Sequence, residues 1–183
     1  MRARVLTSIF ITSILTVQSQ AALMAYMSIK GQKTGEFKGG ITQKGREGKI
    51  GVIAVDHIAA SQPSSGIGRI QLIGKKPQQP FKVTLELDKA TPLIYNSMVN
   101  GENLTEVRIE FWTNKSGAAG ASGAEFQHYS IKLTNATISE VHFNMANIRN
   151  PELAKYPETV EVSFSYQTIE WEWKDGGITA NGS

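Results

Sequence analysis

A chain of 183 residues is long enough for one domain with its own core, and it contains no cysteine. A disulfide framework and thiolate chemistry are therefore excluded. Arg2 and Arg4 are the only charges in Met1–Leu23; without them 17 basic residues face 16 acidic ones, and the net charge falls from +3 to +1. A body so close to neutral gives no electrostatic footing for nucleic acid or for an anionic membrane.

The first segment, MRARVLTSIFITSILTVQSQAAL, has two arginines, an apolar stretch from Val5 to Val17, and small residues at Ser19, Ala21 and Ala22. That is the layout of a secretory signal peptide, and the apolar stretch is too short to span a membrane comfortably. A start of translation at Met24 explains it equally. Residues 1–23 are therefore set apart as a signal-like extension, and residues 24–183 are read as a single domain.

Strand patterns dominate from Met24 onward. Met27 and Ile29 mark a short first strand. Ile50 to Val55 is almost entirely apolar, which predicts burial on both faces. Ser61 to Pro80 carries three prolines and three glycines, so it predicts a long extended loop. Ile67, Ile70, Leu72 and Ile73 within it need a surface to cover. Phe81, Val83, Leu85 and Leu87 then alternate with polar residues. In DKATPLIYNSMVNG a short helix is expected, with Thr91 as N-cap, Pro92 in the first helical position and Asn100–Gly101 as the stop. Leu93, Ile94, Met98 and Val99 would form its apolar side. Val107, Ile109 and Phe111 mark the next strand. Trp112 to Glu125, rich in Gly, Ala and Ser, predicts a mobile connection.

The remaining strands change phase. Tyr129, Ile131 and Leu133 give way to Ala136 and Ile138, and these to Val141, Phe143 and Met145. This is one bent strand, or two that meet near Asn135. In VEVSFSYQTIEWEW the apolar side chains move from even positions (Val160 to Tyr166) to odd ones (Ile169 to Trp173). A β-bulge near Gln167 and Thr168 would absorb an extra residue and keep both sets inward. Bent antiparallel strands with one flanking helix predict an all-β barrel or two-sheet sandwich.

Chemistry is sparse. His57, His128 and His142 fall in no metal-ligand spacing. Asp56 and His57 resemble half a triad, but neighbours on a strand point to opposite faces. GIGRIQ lacks the last glycine and the strand–turn–helix frame of a dinucleotide site. Glu170 and Glu172 share the polar face of a strand. Trp171 and Trp173 lie on the same face as Ile169, so a core or interface face outweighs a sugar-stacking platform. Asn103–Thr105 and Asn135–Thr137 match the short glycosylation pattern, which arises often by chance. The reading is of a protein without catalysis, with no catalytic, cofactor or metal residues to name.

The stretches MAYMSIKG, GREGKIGVIAVDH, KKPQQPFKVTLELDKATPLIYNSMVNGE, HYSIKLTNATISEVHFN and ETVEVSFSYQTIEWEW, in that order, resemble the hemolysin-coregulated protein (Hcp) family, the tube proteins of the bacterial type VI secretion system. The resemblance covers Met24 to Trp173. It implies a small β-barrel with one helix, whose copies form hexameric rings that stack into a tube. A contractile sheath drives the tube outward with a spike protein at its tip, and the lumen carries or stabilises effectors. The loop holding Ile67, Ile70, Leu72 and Ile73 would reach towards an adjacent ring. Such a tube assembles in the cytoplasm and is secreted by its own machine, without a cleavable leader, so the resemblance favours Met24 as the start. The alternative is a secreted or periplasmic monomeric β-sandwich that binds carbohydrate and uses the leader for export.

Overall fold

A computed structural model describes residues 24–60, 79–114 and 125–183. The signal-like extension, the aliphatics Ile67, Ile70, Leu72 and Ile73, and most of the Gly/Ala/Ser-rich connection lie outside the described residues. The elements are β1 (Met24–Gly31), β2 (Gly35–Glu36), β3 (Ile50–Asp56), β4 (Phe81–Glu86), α1 (Thr91–Val99), β5 (Leu104–Asn114), β6 (Glu125–Asn144), β7 (Thr159–Ser165), β8 (Thr168–Trp173) and β9 (Ile178–Gly182). Among the described residues no helix is long and apolar enough to cross a membrane.

Six strands close on themselves. β1 pairs with β3, β3 with β4, β4 with β7, β7 with β6, β6 with β5, and β5 again with β1, every pair antiparallel. Closure removes the unpaired edges of these strands, which is what a barrel achieves over an open sheet. The expected all-β barrel is therefore the observed one. Alternation fills it: Phe81, Val83 and Leu85 point inward opposite Phe164, Val162 and Val160, and all six are buried. Each such side chain contributes roughly 1.5–3 kcal/mol when fully covered.

β6 bends once and is irregular at two places, at His128 against β5 and at Ser139 against β7. At Asn135 the backbone enters the left-handed region, φ 50°, which Asn tolerates better than most residues. The ladder keeps its register across the bend, because Thr134 faces Thr168 and Thr137 faces Ser165. No extra residue exists near Gln167 and Thr168, so the bulge expected there is absent. The stretch VEVSFSYQTIEWEW is instead two strands, β7 and β8, that turn together with β6. Asn135 Nδ2 donates to Gln167 Oε1 at 2.8 Å, and the Gln167 N–H donates to the Thr134 carbonyl at 3.2 Å. Against β7 the bulge is at Ser139, between the pairs Ile138–Phe164 and Glu140–Ser163; its hydroxyl donates to the Ser163 carbonyl at 3.0 Å.

Beyond the bend β8 leaves the barrel and lies beside the first half of β6. β9, which the sequence pattern did not announce, follows through a turn with positive φ at Gly176 and Gly177 and pairs with β8. β8 and β9 thus form a flange. β3 is not buried on both faces: a register shift at Ile53, between the pairs Val52–Leu85 and Ala54–Thr84, leaves that side chain exposed.

The helix starts differently from expectation. Thr91 is its first residue, and Asp88 organises the turn before it: Oδ1 accepts the Ala90 N–H at 2.5 Å, and Thr91 Oγ1 accepts the Asp88 N–H at 3.1 Å. The C-terminus is as expected. Gly101, φ 56°, donates to the Met98 carbonyl, and Glu102 donates to the Ser97 carbonyl, the Schellman pattern. Ile94 is buried, with Leu93 and Met98 packed against the core, but Val99 is exposed. All described elements lie at or after Met24, so a chain begun there is expected to give the same circular dichroism and melting temperature as the full chain. Aggregation of that shorter chain would show that the extension takes part in folding.

Candidate functional site

The sequence candidates scatter rather than converge. His57 Nε2 lies 3.0 Å from the Tyr166 hydroxyl, with its ring against Phe81 and Trp171. Burial pushes its pKa down against the pull of the Asp56 charge. Its hydrogen bond goes to Tyr166, so the sequence pair Asp56–His57 makes no dyad. His128 packs against Phe126 and Trp173, and His142 pairs with Glu161 across β6 and β7. Among the described residues no group of His, Asp or Glu is placed to hold a metal ion.

The two tryptophans sit in different surroundings. Trp171 is held by His57 and by the backbone of β9, where a Cβ on Gly182 would come within 3.1 Å of the indole. Trp173 sits further out, near Tyr129 and His128, and is half exposed. The acids of the same strand face the other way. Glu170 pairs with Lys132 at 2.9 Å, and Glu172 accepts from Lys174 and Ser130. Arg108–Glu106 and Lys49–Glu110 extend this charged outer face. The pairs nearest solvent contribute about 0–1 kcal/mol each, whereas Lys49–Glu110, with 21% and 12% of its side chains exposed, is the most enclosed of them.

Two buried charges escaped the sequence reading. Arg46 lies in the loop between β2 and β3, its guanidinium 3.9 Å from the Trp112 ring centre and 5.1 Å from that of Tyr26. It donates to Glu125 at 2.5 Å; Gln43 donates to the same carboxylate at 3.0 Å and accepts from the Tyr26 hydroxyl at 2.6 Å. The cluster holds β5 and β6 together where the Gly/Ala/Ser-rich connection leaves and returns. Glu102 follows the helix and accepts from the N–H groups of Lys33 and Thr34 and from the Thr34 hydroxyl, at 2.7–2.8 Å. Burial alone would raise its pKa, but the Thr34 and Lys33 donors outweigh that and hold it below the ordinary 4.5. Gly31 makes room, since a Cβ there would run into the carboxylate.

The model for the family described as "Type VI secretion system effector, Hcp" matches residues 26–173. The chain belongs to the Hcp family. It is similar to the major exported protein of Pseudomonas aeruginosa, 29% identical over 171 residues, covering 87% of this chain and 94% of that one. It also resembles a crystal structure of an Hcp protein, with a TM-score of 0.70, 25% identity and coverage of 88% and 98%. The secreted protein Hcp3 from Pseudomonas aeruginosa gives a TM-score of 0.67 at 25% identity and the same coverage.

In this Hcp-family chain the buried charges serve the scaffold, and both are testable. Arg46→Ala leaves the Glu125 carboxylate without its cation and strips the indole face, at a cost of ~3 kcal/mol in urea unfolding. Arg46→Lys is expected to recover less than half, because an ammonium lacks the flat plane that Trp112 covers. Full recovery would mean that charge alone matters.

Glu102 titrates with a predictable sign. Its folded pKa is depressed, so its contribution is complete above the ordinary 4.5 and is lost as pH falls through the folded value. Glu102→Gln should cost roughly 1.5–3 kcal/mol at pH 7 and flatten the acid limb of the stability curve. An unchanged acid limb would assign that pH dependence to other carboxylates.

Proposed function

We propose that the chain is a tube subunit of a type VI secretion system. Copies associate side by side into hexameric rings, and rings stack into a tube. The observation that carries this reading is the family match across residues 26–173 on a closed barrel with one helix. The protein acts as structure and does no catalysis. Its partners are further copies of itself, the contractile sheath, the spike protein at the tip, and effectors held in the lumen; nucleic acid and membrane are not among them. Tubes assemble in the bacterial cytoplasm from chains begun at Met24 and leave through the machine they belong to. The name of the Pseudomonas relative, a major exported protein, supports export. The segment with Ile67, Ile70, Leu72 and Ile73 contributes to stacking by covering apolar surface on the adjacent ring. Against the carbohydrate-binding monomer stands Trp171, packed between His57 and Gly182.

Light scattering and electron microscopy on the chain begun at Met24 test the reading. Hexamers and stacked rings are expected; a monomer at all concentrations would end it. Ile70→Asp with Leu72→Asp is expected to leave folded rings that no longer stack, and secretion should fall with them. Tubes of normal length from that variant would free the segment of any stacking role. A variant that does not fold would place those side chains in the protomer's own core.

A further inference from the structure

β8 is hydrogen-bonded to β6 on one side and to β9 on the other, so the flange joins the barrel through a single ladder. A second tie comes from β3, which pairs with β1 and β4 and shares no ladder with β8. His57 directly follows β3, and its half-buried ring lies among three aromatic side chains from distant parts of the chain. Phe81, the first residue of β4, is 5.1 Å away between ring centres and tilted at 38°. Tyr166, between β7 and β8, is 6.2 Å away and edge-on, with its hydroxyl 3.0 Å from Nε2. Trp171 of the flange is 6.0 Å away and tilted at 40°. Trp171 also meets β9, where a Cβ on Gly182 would stand 3.1 Å from the indole. One imidazole thus touches the barrel, the bend and the flange together.

Among the described residues few charges reach this ring. Asp56 precedes it and is exposed; burial acts against the imidazolium more strongly than the Asp56 charge favours it, so the His57 pKa is pushed down. On β4, Lys82 is engaged with Glu161 of β7 at 3.5 Å. On β8, Glu170 and Glu172 belong to the other face, with Lys132 and Lys174. β9 carries no titratable side chain. Burial pushes the Tyr166 hydroxyl up, so it stays neutral. His128 is the other histidine against a flange tryptophan, its ring centre 5.6 Å from that of Trp173. Trp171, tilted and 6.0 Å away, stands at the limit of cation–π reach and offsets little of the cost of a charge.

We propose that His57 is a pH-sensitive latch between barrel and flange, closed while the imidazole is neutral and released when it takes up a proton. The neutral ring keeps one nitrogen able to accept a hydrogen bond, whereas the imidazolium only donates. Protonation therefore reverses any bond that the Tyr166 hydroxyl donates, and it places a charge among Phe81, Tyr166 and Trp171. Swinging the ring out to water relieves that charge. The same movement uncovers Trp171 and leaves the flange on its β6 ladder alone. The folded ring resists the proton, so the latch's contribution is complete above the ordinary 6.5 and is lost as pH falls from there through the folded value. The latch lies within one chain, so it stands or falls separately from the tube reading.

Hydrogen exchange of the full chain, read by mass spectrometry and corrected for the intrinsic effect of pH, is the test. Between about pH 7.5 and about pH 5, protection of residues 168–182 is expected to fall by about threefold or more, while that of Phe81–Glu86 holds. In His57→Gln and His57→Asn, which cannot take up the proton, flange protection should no longer depend on pH over that range. His128→Gln should keep the drop. The NMR titration of the unaltered chain gives a reading that needs no substitution: the His57 midpoint should lie below the ordinary 6.5 and coincide with the loss of flange protection. Protection that does not change with pH in the unaltered chain overturns the proposal, and so does a midpoint above 6.5. A drop that survives both His57 variants, or that disappears in His128→Gln, assigns the sensitivity to another group and overturns it as well.

Discussion

The paired bend at Asn135 and Gln167 is the constraint on which the rest of the molecule depends. β6 has to serve β5 and β8 in its first half and β7 in its second. A straight strand would carry its partners past one another without closing. Because β6 and the β7–β8 strand turn at the same level and keep their register, the second half can close the barrel while the first half supports the flange. A left-handed asparagine costs on the order of 1–3 kcal/mol. The side-chain bond to Gln167 and the backbone bond from Gln167 to Thr134 offset part of that.

The alternation of Phe81 to Leu85 and of Val107 to Phe111 made the inward faces legible, because period two needs no knowledge of the partner. The phase change at Leu133–Ala136 was legible too, and so was the need for a bent strand. Its mechanism was not. A bulge and a matched bend leave the same trace in one sequence, and only the partner's register separates them. β3 shows the converse: six nearly continuous apolar positions signal two buried faces, yet the irregularity at Ile53 turns one of them outward. β9 escaped because ITANG has almost no apolar pattern. The signal that could have found it was the turn KDGG, whose glycines accept positive φ.

The buried charges were invisible for a different reason. Glu102 is satisfied by Lys33 and Thr34, and Arg46 by Glu125; the bonds span 69, 68 and 79 positions of sequence. Nothing local distinguishes GREGK or NGENL from solvated loops. The family resemblance, carried by the order of several loose stretches, reached the fold where no single motif could. It did not reach these charges.

Sides and ends of the barrel obey different physics. The sides are laced by Lys132–Glu170, Arg108–Glu106 and Lys174–Glu172. Such pairs satisfy one another within the chain, lose strength as salt rises, and offer little net field to a neighbour. With the body nearly neutral, the sides neither repel other copies strongly nor hold them by charge. Apolar contact at the ends is indifferent to this screening, and its strength follows the area covered. Strand sequences can enforce that division with one rule. Polar residues take alternate positions along each strand and so line the sides. Large apolar residues with no inward position left fall where strands begin, end and turn, as at Phe143, Met145 and Ile178. The same alternation that builds the core thereby sorts the surface, with ion pairs along the strands and much of the exposed apolar area at strand ends, on the flange and in the β6–β7 loop.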